Sequence, residues 1–273
     1  MKREITTRKL PIQRHSTRSE EQDDVVVEEP MEIQLDGTPF AVLMRTPGAD
    51  VPLVTGFLIT EGVIADASDI AAISPCRDPH VEHGENVILV KLAPGNTISD
   101  SAIERARRHL FASSSCGICG KATLDAVFLN TQPLHRFLDI SDATILGLGG
   151  EANVVQPVFQ RTGGCHAAIA FLYEPTLTIV AAAEDVGRHN AVDKVVGQIA
   201  RRPPLEQPLV LWVSGRASFE MVQKALLGGF SALVCVGAPT TLAVDLAKRA
   251  RLTLIGFAAG RRFNRYAWSE TGA

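Results

Sequence analysis

Two cysteines held two residues apart are the part of this sequence best suited to chemistry. Cys116 and Cys119 lie among glycines and serines, and no core or turn requirement explains the pair. A cysteine reacts as its thiolate, and its pKa falls beside a cation, at a helix N-terminus or within a Cys-x-x-Cys pair. Lys121 follows the pair, and apolar residues at 124, 127 and 128 have helical spacing. The pair is predicted to be redox-active or to carry sulfur; half of a zinc site or a small apolar turn are the alternatives.

The composition is that of an ordinary globular protein. The chain has 273 residues, 46% of them hydrophobic, which is enough for one large or two modest domains with a substantial core. A net charge of −3 argues against a non-specific nucleic-acid binder. No apolar run is long enough to cross a bilayer, and residues 1–7 lack the apolar stretch of a signal peptide. We therefore expect a cytoplasmic protein whose five cysteines are reduced.

Residues 28–112 are predicted to form a small α+β unit that precedes the cysteine pair. Residues 1–27 are polar, without sustained periodicity, and are predicted to be a tail that is ordered only if it docks. Alternation at 31–35, the turn pair Asp36-Gly37 and the run 39–44 predict a β-hairpin. A helix is expected from Asp50, as N-cap, to Gly62. Further strands at 70–73 and 87–92 and a basic helix over 99–110 complete the unit.

The remaining residues, 113–273, are predicted to form the larger α/β domain. Apolar runs at 167–172 and 177–182 predict a second hairpin, followed by a helix with Asn190 as its N-cap. Residues 209–213, 233–236 and 252–257 then predict three buried strands joined by two helices. Right-handed crossovers make such strands parallel, so that their C-terminal ends share one edge of the sheet.

That edge is predicted to bind phosphate groups. It would present three loops, which are Ser214-Gly215-Arg216, Gly237-Ala238 and Ala258-Ala259-Gly260-Arg261-Arg262. Two helix N-termini and three arginines would then face one pocket, and both features favour anions. The alternatives are ordinary turns and solvated surface charge. For His166 and His189 a structural hydrogen-bonding role is favoured over catalysis, and mid-strand Cys235 is predicted to be core.

Seven segments spread over residues 28 to 266 resemble one known family, the formate dehydrogenase accessory sulfurtransferases (FdhD/NarQ family). A single short motif would be weak evidence, whereas this number of segments in the family's order is specific. The matching segments are Glu28-Glu29-Pro30-Met31-Glu32-Ile33, Met44-Arg45-Thr46-Pro47-Gly48, Gly56-Phe57-Leu58-Ile59-Thr60-Glu61-Gly62, Ser114-Ser115-Cys116-Gly117-Ile118-Cys119-Gly120-Lys121, Thr162-Gly163-Gly164-Cys165-His166-Ala167-Ala168, Glu184-Asp185-Val186-Gly187-Arg188-His189-Asn190-Ala191-Val192-Asp193-Lys194 and Ser214-Gly215-Arg216.

The resemblance implies a sulfurtransferase that serves formate dehydrogenase. It implies that Cys116 accepts sulfur from a cysteine desulfurase as a persulfide, with Cys119 as its partner. The acceptor would be the molybdenum cofactor, Mo-bis(molybdopterin guanine dinucleotide), before the catalytic subunit of formate dehydrogenase receives it. The segment implied to bind the guanine dinucleotide is Phe257-Ala258-Ala259-Gly260-Arg261-Arg262. The implied architecture is α/β, a cytidine-deaminase-like three-layer domain with a smaller N-terminal α+β subdomain, and the implied assembly is a homodimer.

The sequence departs from the family pattern at two positions. Many relatives have an arginine where this chain has Ala259, and an arginine commonly occupies the position of Ala183. Phosphate binding would then depend on Arg261, Arg262 or Arg216. Neither departure affects the cysteine pair.

Two other functions are compatible with parts of the pattern. One is a chaperone that binds the cofactor for formate dehydrogenase without chemistry. The other is a zinc hydrolase, because the implied fold belongs to deaminases that use a His-x-Glu segment and a Cys-x-x-Cys. Here His166 is followed by two alanines and the cysteine pair precedes it, so we expect no permanently bound metal.

Overall fold

The computed structural model describes residues 6–15, 19–95, 133–173 and 177–269. Within these ranges the chain forms a two-stranded, a four-stranded and a six-stranded sheet together with six α-helices. The predicted α/β class, with a three-layer domain and a smaller N-terminal α+β unit, is confirmed. Cys116, Cys119, the predicted helix over 99–110 and the helix predicted to follow the pair lie outside the described residues.

The N-terminal segment forms a β-hairpin. Strands β1 (Thr7–Gln13) and β2 (Glu20–Val26) pair in antiparallel register. The tail was predicted to be ordered only if it docks, and two of its segments are ordered as strands of a hairpin that docks. The sequence signal was hidden because both strands are largely polar and exposed. The hairpin docks on the C-terminal part of the chain, where the Arg161 guanidinium donates to the Thr7 hydroxyl and a Cβ on Gly164 would lie 2.9 Å from Val26 Cγ1.

The four-stranded sheet has the order β4-β3-β6-β5. Its strands are β3 (Glu29–Leu35), β4 (Thr38–Arg45), β5 (Ile70–Pro75) and β6 (Val87–Leu92). The predicted hairpin is confirmed, and its turn residues Asp36 and Gly37 both have positive φ, of 46° and 80°. Such φ values define the turn type that matches the twist of the flanking strands.

Helix α1 (Asp50–Thr60) begins where predicted but with a different cap. Ala49 occupies the N-cap, without a side-chain hydrogen bond, so the prediction of Asp50 as N-cap is wrong. The Asp50 carboxylate instead accepts from Arg45, with Nε–Oδ1 3.0 Å and Nη2–Oδ2 3.2 Å. Arg45 is only 2% exposed, and its buried charge needs a bidentate carboxylate partner. This ion pair is worth more than the helix cap that Asp50 would otherwise form. This ion pair ties the end of β4 to the start of α1.

The six-stranded sheet has the order β12-β11-β10-β9-β7-β8. Strands β9, β10 and β11 are parallel, as predicted, and the other neighbours are antiparallel. The C-terminal part contains α2 (Asp142–Val154), α3 (Pro157–Thr162), β7 (His166–Tyr173), β8 (Leu177–Asp185), α4 (Arg188–Ala200), β9 (Leu209–Val213), α5 (Phe219–Leu227), β10 (Ala232–Cys235), α6 (Thr241–Ala250), β11 (Thr253–Ala259) and β12 (Arg262–Ala267).

Alternate residues of the central strands fill two separate cores. On β9, Leu211 belongs to the core shared with α1, α4, α5 and α6, whereas Trp212 belongs to the core under α2. Leu233 and Val234 on β10 divide in the same way. Successive side chains of a strand point to opposite faces, so a strand buried on both faces is a continuous apolar run. The sheet is therefore the middle of three layers.

Helices α1 and α4 cross at two glycines. A Cβ on Gly56 would lie 1.8 Å from the carbonyl oxygen of Asp193, and one on Gly197 would lie 1.9 Å from that of Pro52. Neither approach is possible for a residue with a side chain. Residues 53–60 of α1 are all buried because the helix lies between the two larger parts of the fold. The glycines thus set the distance between the N-terminal unit and the larger domain.

Candidate functional site

The predicted sheet edge is present, and backbone hydrogen bonds join its loops. Ser214 N donates to Ala167 O at 3.0 Å, Gly237 N donates to Gly215 O at 2.9 Å, and Phe257 N donates to Gly237 O at 3.1 Å. The loops after β9 and β10 and the end of β11 are therefore held side by side. The antiparallel β7 adds its N-terminal end to the same edge, because Ala167 pairs beside Ser214.

The segment 257–262 forms a β-turn between antiparallel strands. Ala259 pairs with Arg262, and Gly260 has a φ of +63°. The prediction ended the third strand at 257 and did not include β12, so this segment is a hairpin tip where a loop was expected. Arg261 and Arg262 are exposed there. Both arginines are free to extend toward a ligand, since neither is fixed in an ion pair among the described residues.

Phe257 has the most unusual backbone of the edge. Its φ is +54° and its side chain is 38% exposed. A left-handed conformation is unfavourable for a bulky residue and is concentrated at binding and active sites. The β-bulge between Gly256 and Ala259 produces it. An exposed aromatic ring held in this way is suited to stacking on a flat ligand group.

The two helix N-termini at this edge have caps of their own. Ser218 Oγ accepts from Met221 N at the start of α5, and Thr240 Oγ1 accepts from Ala243 N at the start of α6. Each cap uses one of the free N–H groups of its helix. The predicted contribution of helix N-termini to anion binding is correspondingly reduced, and arginine side chains are the stronger donors.

A fully buried carboxylate fixes the neighbouring loop. Asp185 ends β8, and its Oδ1 accepts from Gly187 N at 2.8 Å and from Asn190 Nδ2 at 3.0 Å. Its Oδ2 accepts from Thr46 N at 3.1 Å and lies 2.7 Å from Lys194 Nζ. All of these donors satisfy the carboxylate, which explains why a charge is tolerated at 0% exposure. The loop that leads into α4 is therefore rigidly placed.

Asn190 does not cap α4 as predicted. The N-cap is Gly187, and Asn190 lies in the first turn, where its amide donates to Met44 O and to Asp185. The tertiary contacts with β4 and β8 outweigh the capping preference of Asn. Residues Arg188 and His189 then begin the helix at the sheet edge.

Arg188 and His166 lie on either side of Gly215. A Cβ on Gly215 would lie 3.6 Å from Arg188 Cδ and 3.9 Å from His166 Nδ1. Burial lowers the pKa of His166, and the positive charges of Arg188 and His189 lower it further, while Asp185 opposes them. His166 is thus neutral near pH 7, with Nδ1 3.4 Å from Ser214 Oγ. Arg188 was not predicted as a site residue, although it lies in the family-like segment Glu184-Asp185-Val186-Gly187-Arg188-His189.

Cys165 is a poor nucleophile in this setting. Burial raises its pKa to about 12, and the charge of Glu184 adds to the shift. The thiol lies 3.5 Å from Glu184 Oε1, which also accepts from the backbone N–H of Phe159. Cys235 is fully buried in the core, as predicted, and burial raises its pKa as well. Of the three cysteines described, only Cys76 is partly accessible.

Neither a bound metal nor a membrane span is indicated by the described part of the chain. No three His, Cys, Asp or Glu side chains converge there as a possible metal site. None of the helices described has both the length and the apolar content needed to span a bilayer.

The described residues form a three-layer α/β fold with glycine-rich, arginine-bearing loops along one edge of the central sheet. Residues 26–271 match the FdhD/NarQ family model, and the chain belongs to that family. It is 44% identical to a sulfur carrier protein FdhD from Streptomyces coelicolor over 97% of this chain and 95% of the relative. It is 43% identical to one from Mycobacterium tuberculosis over 89% of this chain and 90% of the relative.

A solved structure shares the whole architecture. The crystal structure of a putative formate dehydrogenase accessory protein from Desulfotalea psychrophila superposes with a TM-score of 0.71 at 25% identity. The match covers 97% of both chains. The overall fold of this chain is thus similar to one that has been determined by crystallography.

Proposed function

We propose that this protein is a sulfur carrier in the maturation of formate dehydrogenase. The observation that carries the proposal is 44% identity to a sulfur carrier protein FdhD across nearly the full length of both chains. The family membership and the chemistry of a Cys-x-x-Cys pair agree with it. The protein would act in the cytoplasm, where thiols remain reduced, and as a homodimer.

In the first step Cys116 accepts sulfur from a cysteine desulfurase. The Cys116 thiolate attacks the outer sulfur of the donor persulfide, a new S–S bond forms, and the donor cysteine leaves as its thiolate. The buried thiols Cys165 and Cys235 are unsuited to this role because their raised pKa values keep them protonated. Attack is fastest for a thiol whose pKa lies near the ambient pH, which Lys121 favours by its charge.

In the second step the outer sulfur passes to Mo-bis(molybdopterin guanine dinucleotide) as acceptor. When the S–S bond breaks, Cys116 is left as its thiolate and the outer sulfur leaves at the oxidation level of neutral sulfur. If the cofactor binds that atom as sulfide, the cofactor itself supplies the two electrons. Binding of the remote nucleotide would position the acceptor, since anchoring the non-reacting part of a substrate lowers the entropic cost of reaction. Phe257 and the hairpin-tip residues Ala258, Ala259, Gly260, Arg261 and Arg262 are suited to hold it. The loaded cofactor would then go to the catalytic subunit of formate dehydrogenase.

The first test is intact-protein mass after incubation with a cysteine desulfurase and cysteine. We expect the native chain to gain one sulfur atom and Cys116→Ala to gain none, with Cys76→Ala as the matched control that still gains it. Sulfur on Cys116→Ala, or none on the native chain, would overturn the carrier role. In the latter case an active formate dehydrogenase supported by Cys116→Ala would favour a cofactor chaperone without sulfur chemistry.

Cys119 is proposed to assist the transfer or to resolve the persulfide as a Cys116–Cys119 disulfide. Cys119→Ser should then load sulfur but pass it on more slowly. Transfer at the native rate by Cys119→Ser would exclude an essential role.

A further inference from the structure

A buried cluster of three charged side chains lies where helices α1, α4 and α5 meet. The Nζ of Lys224, on α5, lies 2.9 Å from Glu61 Oε1 and 3.0 Å from both carboxylate oxygens of Asp193. It also donates to Thr60 Oγ1 at 2.8 Å. The side chains of Lys224, Asp193 and Glu61 are 7%, 1% and 16% exposed. One ammonium thus connects all three helices.

This cluster lies at the joint between the N-terminal unit and the larger domain. Glu61 is the C-cap of α1, in the N-terminal unit, whereas Asp193 and Lys224 belong to helices of the larger domain. A Cβ on Gly56 would lie 1.8 Å from the carbonyl oxygen of Asp193, so the close crossing of α1 and α4 is directly beside the cluster. A change of charge there would act on the contact between the two parts of the fold.

The cluster contains two carboxylates for a single cation. Burial lowers the pKa of Lys224, but the carboxylates of Asp193 and Glu61 outweigh burial and the net shift is upward. The ammonium therefore stays charged, and one negative charge is left without a counter-ion. Burying an unbalanced charge is costly, and a group in that position tends to neutralise by taking up a proton.

The charged neighbours of Asp193 on α4 have partners of their own. Lys194, the next residue, lies 2.7 Å from Asp185 Oδ2. His189, one turn earlier, lies 3.1 Å from Glu220 Oε2. Neither side chain therefore supplies the second cation that the cluster lacks.

The Asp193 carboxylate is well placed to hold a proton. Burial raises its pKa, Lys224 and the Thr60 hydroxyl lower it, Glu61 raises it again by its negative charge, and the net shift is upward. Both carboxylates lie within 3.0 Å of the same nitrogen atom, so a proton on either one relieves the repulsion between them. Glu61 is the most exposed of the three side chains and gives the cluster its contact with solvent.

We propose that Glu61 and Asp193 bind one shared proton below neutral pH and that this proton stabilises the joint between the N-terminal unit and the larger domain. The proton comes from solvent and leaves one carboxylate paired with the ammonium. The proposal is independent of the sulfur chemistry. Because the folded chain binds this proton more tightly than the unfolded chain, the contribution to stability is complete in acid and declines as the pH rises to neutral.

The test is urea unfolding of the full chain at about pH 5 and about pH 8. Toward the lower pH, the folding equilibrium constant of the native chain should rise at least about tenfold relative to that of Asp193→Asn, since each unit of pKa shift is a factor of ten. Glu61→Gln should show a smaller change in the same direction, because burial still acts on Asp193. Glu151→Gln, an exposed carboxylate on α2, is the matched control and should keep a constant ratio to the native chain.

A lower stability of Asp193→Asn that is the same at both pH values would overturn the inference and make the cluster a purely structural ion network. If Asp193→Asn does not fold, carbon-13 NMR titration of the carboxyl groups of the native chain gives the answer, with Glu61→Gln to assign the pair. One of the two carboxyl groups should titrate above its ordinary range. Titration of both within the ordinary range of Asp and Glu, at about 4, would also overturn the inference.

Discussion

Lys194 Nζ lies 2.7 Å from Asp185 Oδ2, with side chains that are 3% and 0% exposed. The same ammonium donates to Thr46 O at 2.8 Å. The pair therefore joins three elements that are distant in sequence, which are the end of β8, helix α4 and the loop after β4. A buried pair of this kind is weak evidence for added stability, but removing one partner leaves the other charge unpaired.

Asp185→Asn is expected to lower the free energy of unfolding by about 3–5 kcal/mol, because Lys194 would remain buried without its counter-ion. Urea unfolding at neutral pH measures the loss. Asp245→Asn removes an exposed carboxylate from α6 and should change stability by no more than about 0.5 kcal/mol. Equal effects of the two substitutions would mean that Asp185 is not needed to balance Lys194.

The helix crossing at Gly56 gives a second prediction. A methyl group there would lie 1.8 Å from the Asp193 carbonyl oxygen, and backbone on both sides leaves it nowhere to go. Gly56→Ala should destabilise the fold by about 3 kcal/mol or more, because only separation of the helices relieves the overlap.

Gly147→Ala is the matched control for that prediction. Gly147 lies within helix α2 and a Cβ there would meet no atom within 4 Å. The substitution should stabilise the protein by about 0.5–1 kcal/mol, the usual gain of Ala over Gly in a helix. Thermal unfolding should show a lower melting temperature for Gly56→Ala and a higher one for Gly147→Ala than for the native chain. A neutral Gly56→Ala would show that the two helices do not approach this closely.

Cys165 should resist alkylation in the folded protein. With its pKa raised to about 12 by burial and by Glu184, only about one molecule in 10⁴ carries the thiolate at pH 8. After brief treatment with iodoacetamide, peptide mass spectrometry should find Cys76 modified and Cys165 unmodified. In urea both should react. Equal labelling of Cys76 and Cys165 in the folded chain would contradict the raised pKa.

The parallel strands were predictable because their signals are local and mutually consistent. Continuous apolar runs mark β9 and β10, and Ser218 and Thr240 cap the helices between the strands. Strand β12 was missed because two of its six residues are arginines and it pairs at the sheet's edge. The hairpin of β1 and β2 was missed because polar strands carry little periodic signal.

For the candidate site, the sequence allowed the positions of the loops to be predicted but not the contacts of the side chains. Chain order and the handedness of crossovers brought Ser214, Gly237 and Phe257 to one edge, as expected. The roles of Asp185 and Asn190 depend on partners more than 100 residues away, such as Thr46 and Met44. An N-cap stabilises a helix by about 1 kcal/mol, and a buried hydrogen-bond network of this kind contributes more.

The two glycines at the crossing of α1 and α4 also restrict how the molecule can move. Sliding of packed helices relies on side chains that exchange one set of grooves for another. At Gly56 and Gly197 the backbones themselves are in contact, so there are no side chains there to repack. The four-stranded and six-stranded sheets should consequently keep their relative positions during sulfur delivery. Any conformational change on binding different partners should then occur in the exposed loops and hairpin tips.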